Sequence, residues 1–169
     1  MAKWGNCKFD QLKEYADKLE KLTDADINDL CVKCSRQLAA RLLALVIPRT
    51  PVGHYPASSG KMGGTLRRGW TSSTHNRAQA ANDSGDAAVK AATWAENLRV
   101  HKSGNLYTIE IKNPVEYASY VEFGHRTVSG GWVDGKYMLT ISEERLKQIA
   151  PRVLEKMLYQ KIRKVIEHG

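Results

Sequence analysis

Residues 94–112 read WAENLRVHKSGNLYTIEIK, and the fold class turns on them. Ser103-Gly104-Asn105 is a tight-turn signal between two runs of strand-forming residues. After the turn, Tyr107, Ile109 and Ile111 fall on one side of an extended chain and Thr108, Glu110 and Lys112 on the other. That two-residue period is the mark of a half-buried strand. Residues 94–101 complete the hairpin, and Pro114 ends it. The segments on either side have helical periods. The chain therefore mixes strands and helices, with long loops between them.

Upstream, Phe9, Leu12, Tyr15/Ala16, Leu19 and Leu22 recur at helical spacing. A second stripe runs through Ile27, Leu30, Cys31, Cys34, Leu38, Leu42 and Leu45, with Asp24 as a capping residue and Pro48 and Pro51 as stops. Residues 51–65, PVGHYPASSGKMGGT, read as a mobile loop. In LRRGWTSST the alternation of Leu66, Arg68, Trp70 and Ser72 predicts a strand. Residues 75–93 are Ala-rich around NDSGD and lack a strong apolar stripe, so a flexible insertion is expected there. Downstream, Tyr117, Tyr120 and Val121 predict a short helix that packs on the sheet near Trp70 and stops at Gly124. Residues 124–136 read as a glycine-punctuated loop. A last helix begins at Ser142-Glu143-Glu144, carries the stripe Leu146, Ile149, Val153, Met157 and Ile162, and is kinked or split by Pro151. The whole, 1–169, reads as a single domain with flexible insertions at 53–64 and 75–93.

No apolar run is long enough to cross a membrane, and the charge-rich start lacks the apolar stretch of a secretory leader. Three cysteines do not suit a disulfide framework and suggest a reducing compartment. The net charge of +8 is uneven. Residues 1–29 hold five basic and seven acidic residues, net −2, and residues 83–169 hold thirteen and eleven, net +2. Residues 30–82 hold eight basic residues and no acidic one. Such a stretch is either a solvated face whose acid partners lie elsewhere in the fold, or a surface that meets phosphate or an acidic protein.

The catalytic signals are weak. Cys31 and Cys34 form a CxxC, but without a second ligand pair, and mid-helix on an apolar stripe. They are expected to be reduced, metal-free core residues. The five histidines have no metal-ligand spacing, and GxSxG, HExxH and GxxxxGK[ST] are absent. The reading is a non-enzyme without cofactor or metal. The distinctive features are instead arginines beside aromatics: Arg67-Arg68 next to Trp70, a Tyr117/Tyr120/Phe123 group ending in Glu122, His125 and Arg126, and Trp132 between glycine and valine in a loop. Interfaces and single-stranded nucleic-acid platforms both use this chemistry, although Trp70 and Tyr117 also suit a core. The candidate interface residues are Arg67, Arg68, Glu122, His125, Arg126 and Trp132. Trp132 is the expected anchor.

The order Arg49-Thr50-Pro51-Val52, a glycine-rich loop, TLRRGW (65–70), NPVEYASYVEFGHR (113–126), GWVDGKYML (131–139) and a C-terminal helix resembles a tailed-phage family. It is similar to the head–tail joining or tail-completion (neck) proteins, the tenth-gene-product family of lambdoid phages and their prophage relatives. The resemblance covers about residues 9–165. The family's short acid-containing turn is replaced here by the acid-free residues 53–64. The resemblance implies an α+β fold, an antiparallel β-sheet packed against N-terminal and C-terminal helices with long mobile loops, and no catalysis. It implies a virion ring of six copies at the head–tail junction, assembled in the host cytoplasm. The implied partners are the neighbouring head-completion or connector proteins and the tail-terminator or tail-tube proteins, with DNA in the channel and no membrane. The competing reading is a nucleic-acid-binding protein that uses the basic residues 30–82.

Overall fold

Thr23 starts the longest early helix by reciprocal capping: its hydroxyl accepts from Asp26 N–H, and the Asp26 carboxylate accepts from Thr23 N–H. The computed structural model describes residues 10–20, 22–60, 63–81 and 86–168. Its helices are α1 (Asp10–Glu20), α2 (Asp24–Arg49), α3 (Thr65–Gly69), α4 (His75–Ala80), α5 (Ala87–Glu96), α6 (Ala118–Phe123) and α7 (Met138–His168). Its strands are β1 (Val100–Ser103), β2 (Leu106–Ile109), β3 (Gly124–Arg126) and β4 (Trp132–Asp134). Phe9, Lys61 and residues 82–85 fall outside the described residues, as do the side chains of Leu12 and Tyr15.

The fold is α+β, with two separate antiparallel hairpins rather than one sheet. α2 is the central element, and α5, α7 and the β1–β2 hairpin pack along it. Val100 pairs with Ile109 and Ser103 with Leu106, so Gly104-Asn105 is a two-residue turn with Gly104 at φ +57°. Tyr107 ties the hairpin to α2 by donating its hydroxyl to Asn28 Oδ1 at 2.9 Å. α1 lies against α7, where Lys18 Nζ donates to the Ile166 carbonyl at 2.9 Å.

The core sits at the C-terminal end of α2. Leu43, Val46 and Ile47 pack with Leu66, Trp70, Ala78, Ala91, Val115 and Met138. Thr50, fully buried, is the junction: its hydroxyl donates to the Val46 carbonyl at 2.8 Å and accepts from Trp70 Nε1 at 2.7 Å. Pro48 occupies the last turn of α2. Toward the start of α2 burial falls off, and Cys31 and Cys34 are half-buried rather than core residues.

Four expectations are corrected. Residues 65–69 are helix α3, not a strand: Leu66 and Trp70 are four apart, so one turn of helix buries both, and the two-residue alternation was equally a helical spacing. The Ala-rich stretch is not without core residues. Ala78, Ala91 and Ala95 are buried, and small side chains let α5 lie close on α2. Residues 94–96 end helix α5 instead of starting a strand, which leaves β1 to begin at Val100. Residues 124–136 contain the β3–β4 hairpin. In addition, α7 begins four residues before Ser142, at Met138, and runs on through Pro151 unsplit.

Candidate assembly surface

α6 is short, and its two sides differ sharply. Asn113 positions its approach: Nδ2 donates to the Leu66 carbonyl at 2.8 Å and Oδ1 accepts from Val115 N–H at 3.1 Å. Val115 is buried, and Ala118 and Val121 pack against the core. Tyr117, Tyr120 and Phe123, three residues apart, point outward with 41%, 58% and 60% of their surface exposed. The expectation that Tyr117 and Tyr120 are core is therefore corrected. The inward positions are taken by smaller residues and by Glu122.

Glu122 is 5% exposed. Its carboxylate accepts from Leu139 N–H at 2.9 Å, Thr140 N–H at 2.9 Å and the Thr140 hydroxyl at 2.8 Å. These amides belong to the first turn of α7, whose orphan N–H groups and positive dipole end suit a carboxylate. The residue before α7, Tyr137, sits at φ +47° and has no short acceptor side chain to cap the helix itself. Glu122 supplies the cap from α6.

Gly124 ends α6 at φ +84°, and a Cβ there would run into the Val133 carbonyl and Gly135 N–H. β3 and β4 pair Gly124 with Asp134, His125 with Val133 and Arg126 with Trp132. Thr127 closes the tip, its hydroxyl accepting from Gly131 N–H at 2.9 Å. The root is closed by Lys136 N–H donating to the Val121 carbonyl at 2.8 Å and Tyr137 N–H to the Glu122 carbonyl at 3.0 Å. The hairpin projects into solvent. Trp132 is 58% exposed, with Val128, Val133 and Arg126 also exposed. The His125 ring stands tilted against Tyr120, centroids 5.8 Å apart, and the Trp132 ring lies by Gly124. Tyr117, Tyr120 and Phe123 on α6 and Trp132 on the hairpin are thus exposed aromatics, while His125, which meets Tyr120, lies on the hairpin face opposite to that of Trp132. Tyr55 and Tyr117 share a cleft with Val52 and Val121. Partial burial raises the Tyr117 hydroxyl pKa, with Tyr55 adding to the rise and Arg68 opposing it.

The sequence-predicted residues divide. His125, Arg126 and Trp132 lie together on the hairpin. Arg67 and Arg68 lie elsewhere, as braces. Arg67 Nε and Nη2 both donate to the Thr50 carbonyl, at 3.1 and 2.9 Å. Arg68 is 6% exposed and donates from Nε to the Ala78 carbonyl at 2.8 Å and from Nη1 to the Gly63 carbonyl at 3.0 Å. Tyr55 joins the surface without having been singled out, and Tyr117, Tyr120 and Phe123, noted as an aromatic group but with the two tyrosines expected to pack inward, join it as well. Their three-residue spacing, 117, 120 and 123, was the available signal. Burial, with the neighbouring Cys31 as a lesser cause, pushes the Cys34 thiol pKa up. Among the described residues no group of His, Cys, Asp or Glu is arranged to hold a metal ion, and no helix is long and apolar enough to cross a membrane.

Residues 13–124, more than half of the chain, match the model of the HK97-gp10-like family, described as "Bacteriophage HK97-gp10, putative tail-component". No curated protein and no solved structure matched the chain.

Proposed function

The chain belongs to the HK97-gp10-like family of phage tail components, and from that premise we propose that it completes the neck of a tailed phage, joining the head connector to the tail. At the coarser level it is a structural protein of the phage virion. The finer reading, which follows the resemblance to the lambdoid tenth-gene products, is a ring of six copies at the head–tail junction, without catalysis. It assembles in the host cytoplasm between a head-completion or connector protein and a tail-terminator or tail-tube protein.

The observation that supports this role is the group of exposed aromatic side chains on α6 and the β3–β4 hairpin, Tyr117, Tyr120, Phe123 and Trp132. Rigid exposed aromatics beside an arginine are typical interface anchors. Trp132 and Arg126 are cross-strand neighbours on a hairpin closed at both ends, so the anchor is presented preformed. The test is complementation of a phage lacking this protein. Trp132→Ala is expected to give a folded subunit with heads and tails left unjoined, and Arg126→Ala a weaker form of the same defect. Wild-type phage yield with Trp132→Ala overturns the assignment.

A further inference from the structure

The β1–β2 hairpin is a sheet of two strands, and neither strand pairs with a third among the described residues. Its ladder runs Val100↔Ile109, His101↔Thr108, Lys102↔Tyr107 and Ser103↔Leu106. In an antiparallel pair closed by a two-residue turn, the residues next to the turn exchange the inter-strand bonds, and so does every second pair beyond them. Ser103, Leu106, His101 and Thr108 are therefore used within the hairpin. The N–H and C=O groups of Val100 and Lys102 on β1, and of Tyr107 and Ile109 on β2, point away from it. None of these groups has a hydrogen-bond partner among the described residues. Both edges of the sheet are thus templates for another strand.

The strands carry no proline and no bulge. A lysine often protects an edge by projecting over it, but Lys102 is drawn across the hairpin instead, its Nζ 5.4 Å from the centre of the Tyr107 ring. Tyr107 is tied to Asn28, so one face of the hairpin is held on α2. The other face, His101, Ser103, Leu106 and Thr108, is exposed, Leu106 at 66%.

The two edges differ in charge. Arg99 leads into β1, Lys102 lies on it, and Glu110 follows β2. Arg99 and Lys102 are exposed and form no ion pair among the described residues. Glu110 meets Lys112 at 3.7 Å with both side chains exposed, a contact worth little in water. Lys112 lies past the reach of a β1 strand, because the residue that would face it, Asn97, already caps α5.

We infer that copies of the chain join edge to edge, β2 of one pairing antiparallel with β1 of the next, so that the hairpins form one continuous sheet around the ring. This rests on the ring reading above and names the contact that makes the ring. The contact is heterologous, as a closed ring requires, because it uses two different edges of one chain. Rotation about the ring axis keeps strand direction, so the repeated hairpins alternate up and down, and closure leaves no open edge. In the register of the hairpin itself, Ile109 of one copy faces Val100 of the next, and Glu110 faces Arg99.

Complementation of a phage lacking this protein, with sedimentation of the pure chain, tests the contact. Lys102→Pro removes an N–H that the hairpin does not use and places a ring on the β1 edge, so far-UV circular dichroism and the melting temperature should match wild type. Self-association is expected to weaken at least about tenfold, with heads and tails left unjoined. Lys102→Thr, which loses the same lysine but keeps the N–H, is expected to behave as wild type. A proline chain that associates and complements like wild type overturns the inference while the neck ring stands, and so does a threonine chain as defective as the proline one. If the proline chain does not fold, the charged pair decides. Arg99→Glu and Glu110→Arg are each expected to weaken association about two- to fivefold, and the two together in one chain to restore it. A doubly substituted chain no better than either single one overturns the inference. Virions that contain one copy per particle overturn the ring reading itself.

Discussion

Replacing Glu122 by alanine isolates the join between α6 and α7. The substitution removes three short bonds to one buried carboxylate, at 2.8–2.9 Å, and exposes the N–H groups of Leu139 and Thr140 to an unfilled site. Hydrogen bonds to a charged group are worth about 1.5–3 kcal/mol each, a helix cap about 1 kcal/mol, and a partly buried charge at a helix end up to about 2 kcal/mol. These figures overlap, because each describes the same carboxylate at the same turn. A loss of about 3–4 kcal/mol is the consistent value, which lowers the melting temperature of a chain this size by about 10 °C. Glu122→Gln keeps an acceptor for Thr140 but turns an NH₂ toward Leu139 N–H and removes the charge, so it should cost about half as much. Urea unfolding followed by far-UV circular dichroism reads both, and amide exchange at Leu139 and Thr140 should accelerate first. A Glu122→Ala protein within about 1 kcal/mol of wild type would refute the reasoning. So would a glutamine variant as damaged as the alanine one.

Thr50→Val should cost about 1–3 kcal/mol by urea unfolding, because the buried Trp70 Nε1–H loses its acceptor at 2.7 Å. Asp26 has its pKa lowered to about 2, chiefly by the hydrogen bond from Lys161 and then by those from Thr23. A depressed carboxylate contributes stability above its unfolded pKa and loses it as pH falls toward its folded value. The wild-type urea midpoint should thus fall more steeply than that of Asp26→Asn between about pH 4 and pH 2. Tyr120→Ala, at a 58% exposed position, should leave the melting temperature within about 2 °C of wild type and impair joining in the complementation assay, as is expected of Trp132→Ala.

What was legible in the sequence was period over long runs. The stripes from Ile27 to Leu45 and from Leu146 to Ile162 identified α2 and α7, and the Ser103-Gly104-Asn105 turn identified a hairpin, though not where its first strand begins. Short elements were not legible, because five or six residues fit either period. Leu66 and Trp70 satisfy a strand and a single helical turn equally. Alanine misled for another reason. It contributes little to an apolar stripe, yet Ala78, Ala91 and Ala95 are buried precisely because they are small enough to let a helix approach. At the candidate surface, Trp132 and Arg126 were readable as loop residues with interface chemistry. Glu122 was not readable as a cap, because its partners lie 17 and 18 residues away. Tyr117 and Tyr120 were misplaced because aromatic residues on a helix ordinarily face inward. Here Ala118 and Val121 pack inward and Glu122 bonds to the start of α7, so the tyrosines are left facing out.

The closure at the hairpin root gives the molecule a lever. Lys136 and Tyr137 are bonded to the last turn of α6, and Glu122 to the first turn of α7, so the hairpin, α6 and the start of α7 turn together. α7 has 31 residues and is therefore about 46 Å long. A tilt of about 5° imposed on the hairpin tip would carry the far end of that helix through about 4 Å. That end lies against α1, bonded through Lys18 to the Ile166 carbonyl. A neighbour that displaces the hairpin at Trp132 would therefore load α7 along its length, and the packing of α7 on α2 limits how much of that displacement reaches α1 at the opposite end.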